Sequence, residues 1–255
     1  MKRGLFLFGV VVVLSSCTKN EETLTSDIRE ASTYQSVVQS TTISSVQEID
    51  IQHVQTYEKS DLLNATKQND LEAIKTILAA NSQLINETDD LGNTALMIAV
   101  QNNYIDSANY LIDKQADVNR QNNIQDSPYL YAGAEGRTEI LAYMLKNSII
   151  DFSKVNRFGG NALIPAAEKG HLENVQILLK DGRNPVDFQN NYGYTALIEV
   201  VALRENNENY RKIIDLLLAY GASPTIRDNY GKSALDYARE KNYQDVYNKL
   251  RGASS

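Results

Sequence analysis

Hydrophobic and polar positions repeat along most of the chain with a period close to 34 residues. Each unit starts with Ser, Thr or Asn, has a large apolar residue two positions later and a small one five positions later. Since these starting residues cap helices by accepting a backbone N–H bond, each start predicts the beginning of a helix. The six starts are Ser60, Thr94, Ser127, Asn161, Thr195 and Ser233, at spacings of 34, 33, 34, 34 and 38 residues.

A second helix is predicted in each unit. Gly or Asn, which tolerate the left-handed conformation that ends a helix, follows five of the six starts by nine residues. These residues are Asn69, Asn103, Gly136, Gly170 and Asn242. An apolar stretch then predicts the second, longer helix. In the fifth unit, the polar segment 204–209 is the best place for the extra residues of the 38-residue spacing.

A short turn precedes every unit start except the first, and four of the five turns end in Gly, as a tight turn with positive φ requires. Turn, short helix, turn and longer helix at about 33 residues together resemble the ankyrin repeat. The resemblance runs from about Ser60 to Leu250, and TALIEVVALRE (195–205) is among its closest segments. It implies an all-α ankyrin-repeat solenoid of about six helix-turn-helix repeats with short β-hairpin turns, in residues 60–251.

The family's usual Thr-Pro-Leu-His motif has no His in this chain. The equivalent positions hold Leu63, Met97, Leu130, Ile164, Ile198 and Asp236. The hydrogen bonds that this His makes in the family are therefore expected to be absent or replaced.

The tips of the five turns hold apolar or aromatic residues, three positions before the next unit start. These tip residues are Leu91, Ile124, Phe158, Tyr192 and Tyr230. In ankyrin proteins the tips and the short inner helices line the concave face, so the resemblance implies that these residues bind a partner. The alternative, that each packs on the neighbouring hairpin, remains open. In that case the next candidates are the inner-helix residues Gln101, Asn102, Glu135, Glu168 and Lys169.

The N-terminus has the order of features of an export signal. Lys2 and Arg3 precede an 11-residue apolar run at 4–14, which is too short to span a bilayer as a helix. Ser15 and Ser16 then lead to Cys17, the single cysteine. This order resembles the lipobox of bacterial lipoproteins, which implies a signal peptide at 1–16 and an acylated Cys17. The alternative is an uncleaved anchor followed by a buried Cys.

Residues 17–59 are predicted to be a lipidated Cys and a Ser/Thr/Gln-rich tether. Of the 42 residues from 18 to 59, 19 are Ser, Thr, Asn or Gln, and none is Gly or Pro. Residues 46–59 contain Ile49, Ile51 and Val54 and are expected to form a partly ordered lead-in, either a short strand or a weak helix packed on the repeats. Acylation would then anchor the protein to a bacterial membrane in the cell envelope, facing the periplasm or the exterior.

Composition argues against catalysis and against nucleic acid as a partner. With 25 Lys plus Arg against 32 Asp plus Glu, the net charge is −7, whereas phosphate binding needs a basic surface. One Cys and two His exclude a Cys-rich zinc site and leave little for a His-based one. No nucleophile, phosphate-loop or metal-ligand motif stands out, so no cofactor, metal or small-molecule substrate is expected.

The function predicted from the sequence is that of a membrane-tethered protein-binding module outside the cytoplasm. It would act through its concave face on another protein, and its acidic charge would favour a basic one. Such a module would be an inhibitor or immunity-type protein, or a scaffold. One alternative is an accessory protein of an envelope enzyme. Another is an enzyme whose carboxylates converge from distant repeats, which the lack of any motif disfavours.

Overall fold

The computed structural model describes residues 55–254, where twelve α-helices and one 3₁₀-helix follow one another without a named strand. The predicted signal peptide (1–16), Cys17 and all of the tether before residue 55 lie outside the described residues. Tyr57, just before the first helix, packs against the core. Within residues 55–254, no helix is both long enough and apolar enough to cross a membrane.

The helices form six pairs, and the first and second members of each pair are called inner and outer. The inner helices are α1 (Lys59–Lys67), α3 (Ala95–Gln101), α5 (Pro128–Ala134), α7 (Leu163–Glu168), α9 (Ala196–Leu203) and α11 (Ala234–Glu240). The outer helices are α2 (Leu71–Ala80), α4 (Ile105–Asp113), α6 (Thr138–Asn147), α8 (Leu172–Asp181), α10 (Glu208–Ala219) and α12 (Gln244–Gly252). The 3₁₀-helix Ser82–Asn86 follows α2. This arrangement confirms the predicted all-α solenoid.

Four of the six predicted caps are confirmed. The side chains of Thr94, Ser127, Thr195 and Ser233 each accept the backbone N–H three residues ahead, at 3.1–3.2 Å. The Asn161 side chain also accepts the N–H groups of Leu163 and Ile164, at 3.1 and 3.2 Å, but α7 begins only at Leu163, so that Ala162 rather than Asn161 is its N-cap residue. Each cap satisfies a donor that would have no partner within the helix.

The prediction for Ser60 is wrong, because α1 begins one residue earlier, at Lys59, with Glu58 as its N-cap. The backbone N–H of Glu58 donates to the Asp61 carboxylate at 2.8 Å, which closes a capping box around Ser60. Glu58 and Asp61 therefore set the start of the first repeat, and Ser60 lies inside the first helical turn.

The turns between inner and outer helices also follow the sequence pattern. Asn69, Asn103 and Asn242 have φ values of 53–57°, and Gly136 and Gly170 are in the same left-handed region. The fifth repeat instead has a longer connection, since α9 ends at Leu203 and α10 begins at Glu208. This is where the sequence predicts the extra residues.

The core is a continuous stack of inner helices covered by one face of the outer helices. Residues Ala95 to Val100 of α3 are all buried, whereas α10 buries only Ile213, Ile214 and Leu217. Small residues on the inner helices, such as Ala132 and Ala166, have no exposed surface and let neighbouring helices approach closely. The stack is thus the main source of stability, since each large apolar side chain buried contributes about 1.5–3 kcal/mol.

Apolar packing replaces the missing His at five of the six repeats. Leu63, Met97, Leu130, Ile164 and Ile198 are all buried. In the last repeat the Asp236 carboxylate accepts a hydrogen bond from the Ser233 hydroxyl at 2.8 Å. The polar contacts that the family's His would make are therefore replaced by core contacts or by a cap.

Candidate partner-binding site

The five hairpin turns are organised by an Asp or Asn at their first position. Its side-chain oxygen accepts the N–H of the tip residue two positions later, at 2.8–3.1 Å. The same oxygen accepts a second N–H two residues further on. These residues are Asp89, Asn122, Asn156, Asn190 and Asp228. The Asp or Asn side chain therefore holds each turn by bonding backbone N–H groups. The side chain of the tip residue takes no part in these bonds.

The tip residues are exposed. Leu91, Ile124, Phe158, Tyr192 and Tyr230 have between 46% and 68% of their surface accessible. They make up five of the eight exposed large apolar side chains in residues 55–254. Exposed apolar surface is therefore concentrated on this one structural position, as expected of an interaction surface. That these residues contact a partner remains a prediction.

Backbone bonds join neighbouring hairpins into a ladder. The carbonyls of Leu91, Phe158 and Tyr192 accept the N–H groups of Asn residues in the next hairpin, at 2.9–3.1 Å. Between the third and fourth repeats, Arg157 occupies the position of this Asn. Its guanidinium lies 3.2 Å from Asp126 and 4.8 Å from the centre of the Phe158 ring. The ladder holds the tips in fixed positions relative to one another.

A hollow of about 370 Å³ lies where three tips meet two inner helices. Phe158, Tyr192 and Tyr230 form its aromatic rim. Helix α7 contributes Ile164, Pro165 and Glu168, and α9 contributes Glu199 and Leu203. Its lining contains no Ser, Thr, Cys, His or Lys side chain. The hollow therefore offers aromatic rings, amides, tyrosine hydroxyls and two carboxyl groups, but no Ser or Thr hydroxyl, thiol, imidazole or amine.

Glu199 is the unusual residue of this hollow, because it is buried on an inner helix that is otherwise apolar. Its Oε1 accepts a hydrogen bond from Asn190 Nδ2 at 2.8 Å, whereas its Oε2 is buried and has no hydrogen-bond partner. Burial, with a further contribution from the Glu168 charge, raises the pKa of Glu199 to about 7. The hydrogen bond from Asn190 and the charge of Arg204 act in the opposite direction.

Glu168, by contrast, is already paired. Its Oε1 accepts a hydrogen bond from the guanidinium of Arg204, which follows α9. Glu135 and Lys169 form a similar ion pair between α5 and the end of α7. The Gln101 carbonyl accepts a hydrogen bond from Arg137 at 2.9 Å. Glu135, Glu168 and Lys169 therefore join adjacent repeats through their side chains, which favours a structural role for them. Gln101 does so only through its backbone carbonyl.

The sequence prediction missed Glu199 and the hollow that it lines. The available signal was a single acidic residue in the apolar segment ALIEVVAL of α9, at a position that is buried in the fold.

Asn102, another inner-helix candidate, donates to the Ile98 carbonyl of its own helix at 2.9 Å. In residues 55–254, no group of His, Cys, Asp and Glu side chains is arranged to hold a metal ion.

Comparison with known proteins agrees with this architecture. The family model described as ankyrin repeats (3 copies) matches residues 33–122 and 129–228. The ankyrin repeat protein YahD of Escherichia coli (strain K12) is 35% identical over 196 residues, which cover 77% of this chain and 96% of that protein. Neither the family nor the relatives compared indicate a catalytic activity.

Two solved structures are similar over the repeat region. That of EF0377, an ankyrin repeat protein, is 56% identical, with a TM-score of 0.75, and the match covers 77% of this chain and 98% of that one. The ankyrin repeat domain ABAYE2397 from Acinetobacter baumannii AYE is 44% identical, with a TM-score of 0.73 and the same coverage of both chains.

Proposed function

Since the chain belongs to the ankyrin repeat family, whose repeats are protein-interaction modules, we propose that it is a membrane-tethered binding module that holds a partner protein outside the cytoplasm. The partner would lie on the tip face, defined here as the five tip residues and the adjacent surfaces of the inner helices. The enzyme alternative is less well supported, because Glu168 is paired with Arg204 and neither the family nor the relatives compared indicate a catalytic activity.

The single observation that supports this proposal is the concentration of exposed apolar side chains on the hairpin tips. Folding alone gives no reason to leave Phe158, Tyr192 and Tyr230 about half or more exposed. Aromatic residues held rigidly on a surface are typical binding hot spots, because they bury much area at a low entropic cost. A partner would cover them and gain that free energy.

Charge suggests the chemistry of the partner. The chain carries a net charge of −7, and complementary charge speeds association and disfavours wrong partners. A protein with a basic surface therefore fits best. Binding would act either by covering the partner's functional surface, as in an inhibitor or immunity protein, or by holding an envelope enzyme in place as a scaffold or accessory protein.

These two modes differ in what happens to the partner's activity. Once the partner is identified, its activity would be measured with and without a saturating amount of this protein. Loss of activity in proportion to the bound fraction indicates an inhibitor. Unchanged activity, together with membrane retention that depends on this protein, indicates a scaffold.

Removing two tip aromatics is expected to weaken binding while leaving the fold intact. Phe158→Ala combined with Tyr192→Ala should weaken partner binding by at least ~2 kcal/mol, about thirtyfold, because aromatic hot spots contribute that much. The melting temperature should stay within a few degrees of wild type, since exposed side chains contribute little to stability. Calorimetric titration and thermal melting would measure the two effects.

Tyr220→Ala is the matched control for this double variant. Tyr220 lies at the end of the outer helix α10 and is 45% exposed, close to the 48% of Tyr192. The Tyr220→Ala variant should bind the partner as tightly as the wild-type protein does. If the control weakens binding as much as the double variant does, or if the double variant unfolds, the tips are not the binding surface.

The membrane tether rests on Cys17 and its flanking residues. Acyl chains on a cysteine contribute about 0.8 kcal/mol per buried CH₂, so two or more chains would hold the protein on a membrane stably. The segment after Cys17 would then separate the repeats from the bilayer surface.

Cys17→Ser is expected to abolish lipidation and cleavage. The variant should migrate as an uncleaved or soluble precursor, because serine has no thiol for the thioether-linked lipid. Metabolic labelling with a palmitate analogue and membrane fractionation would measure both properties, with Ser15→Ala as the control that keeps a small residue before the cysteine. A mature-size, membrane-bound Cys17→Ser protein would contradict the lipoprotein proposal.

A further inference from the structure

The hollow between the tips of the fourth to sixth repeats contains a polar group that the fold leaves unsatisfied. Glu199 is only 6% exposed, it lines the hollow, and its buried Oε2 accepts no hydrogen bond from the protein. An unsatisfied buried acceptor costs about 1–3 kcal/mol. A ligand that donates a hydrogen bond to this oxygen would remove that cost.

The hollow has more carboxyl groups than cations, so its charge favours a cationic ligand. Glu168 and Glu199 line it, no Lys or Arg does, and the nearby Arg204 is paired with Glu168. One carboxylate is therefore left without a counter-ion when both are ionised. An anionic ligand would be repelled, and an apolar one would leave Oε2 without a partner.

The aromatic rim favours the same type of ligand. The rings of Phe158, Tyr192 and Tyr230 line the hollow, and aromatic faces attract ammonium and guanidinium groups. Arg157 already stacks on Phe158 at 4.8 Å from the ring centre, although it does not itself line the hollow. The Phe158 ring thus already accepts a guanidinium.

We propose that this hollow binds one lysine or arginine side chain of the partner polypeptide, with Glu199 as the anionic acceptor and the aromatic rim around the alkyl stem. This inference rests on the proposed function, because it assigns a ligand to one part of the tip face. Binding of that side chain would place the partner across the fourth, fifth and sixth repeats.

Small side-chain analogues test the hollow without knowledge of the partner. n-Butylguanidinium and n-butylammonium would be titrated into the purified protein at pH 8, with butyrate and n-butanol as the anionic and neutral analogues. NMR signals of the Phe158 and Tyr192 rings would report binding. The two cations should give saturable shifts at millimolar concentrations, whereas butyrate and n-butanol should bind at least tenfold more weakly.

Variants assign the binding to Glu199. Glu199→Gln keeps an oxygen for Asn190 but removes the charge, and it should weaken cation binding at least tenfold. Glu139→Gln, which changes an exposed carboxylate on α6, should bind like wild type. Arg204→Gln removes the internal cation and should bind the analogues more tightly, which provides a gain-of-binding test independent of any loss of folding.

The inference is overturned if the cations show no saturable shift, if n-butanol binds equally well, or if Glu199→Gln binds them like wild type. Its failure is distinguishable from failure of the proposed function. Loss of partner binding in the Phe158 and Tyr192 double variant, without cation binding in the hollow, would leave the tip face as the binding surface and remove only the assigned ligand.

Discussion

Leu217→Ala is expected to lower the free energy of unfolding by about 2–5 kcal/mol, because it leaves a cavity at a fully buried site. Leu217 lies on α10, has no exposed surface and belongs to the continuous core. Each repeat packs only on its neighbours, so the loss should be greatest in the fourth to sixth repeats. Urea denaturation measures the total effect, and hydrogen exchange measures its distribution.

The matched control is a large apolar residue outside the core. Ile149 is 92% exposed, so Ile149→Ala should change stability by no more than about 0.5 kcal/mol. If both variants lose a similar free energy, or if Leu217→Ala melts like wild type, the assignment of α10 to the core is wrong.

Glu199→Gln is expected to gain stability relative to wild type as the pH rises. The pKa of Glu199 is raised from 4.5 to about 7 in the folded protein, mainly by burial. Between these two values the unfolded chain has released its proton while the folded protein still holds it. Wild type therefore loses stability as the pH rises through this range, by about 3 kcal/mol at about 1.36 kcal/mol per pKa unit.

Glutamine has no proton to release, so the variant lacks this contribution. The difference in unfolding free energy between Glu199→Gln and wild type should shift in favour of the variant by about 2–3 kcal/mol between pH 5 and pH 8. Comparing two pH values removes any constant cost of burying the amide. Glu139→Gln should show no such shift, and a flat difference for Glu199→Gln would mean that Glu199 is ionised throughout this range.

The repeat fold could be predicted from the sequence because its signals are local. A cap such as Thr94, a left-handed Asn or Gly nine residues later, and a turn residue such as Asp89 each act within one repeat. Ser60 is an exception, since Glu58 and Asp61 form a capping box that competes with it. In that repeat the alignment predicted a helix start, but neither the type nor the position of the residue that caps it.

The candidate site could be predicted only in part. The tip residues were identifiable because they occur at one fixed position of the repeat, but their exposure depends on how neighbouring hairpins pack. The hollow depends on residues from three repeats, such as Phe158, Glu199 and Tyr230, which are far apart in the chain. The burial of Glu199 arises from this stacking, so its raised pKa could not be predicted from a single segment.

The central claim is that a partner protein binds the tip face, and site-specific photo-cross-linking tests it most directly. A photoreactive phenylalanine derivative would replace Tyr192 or Tyr220 in cells, two tyrosines with nearly equal exposure on and off the tip face. The proposal predicts one discrete protein adduct from position 192, none from position 220, and loss of the 192 adduct when Phe158→Ala is added. An adduct from position 220 with none from position 192 would contradict it.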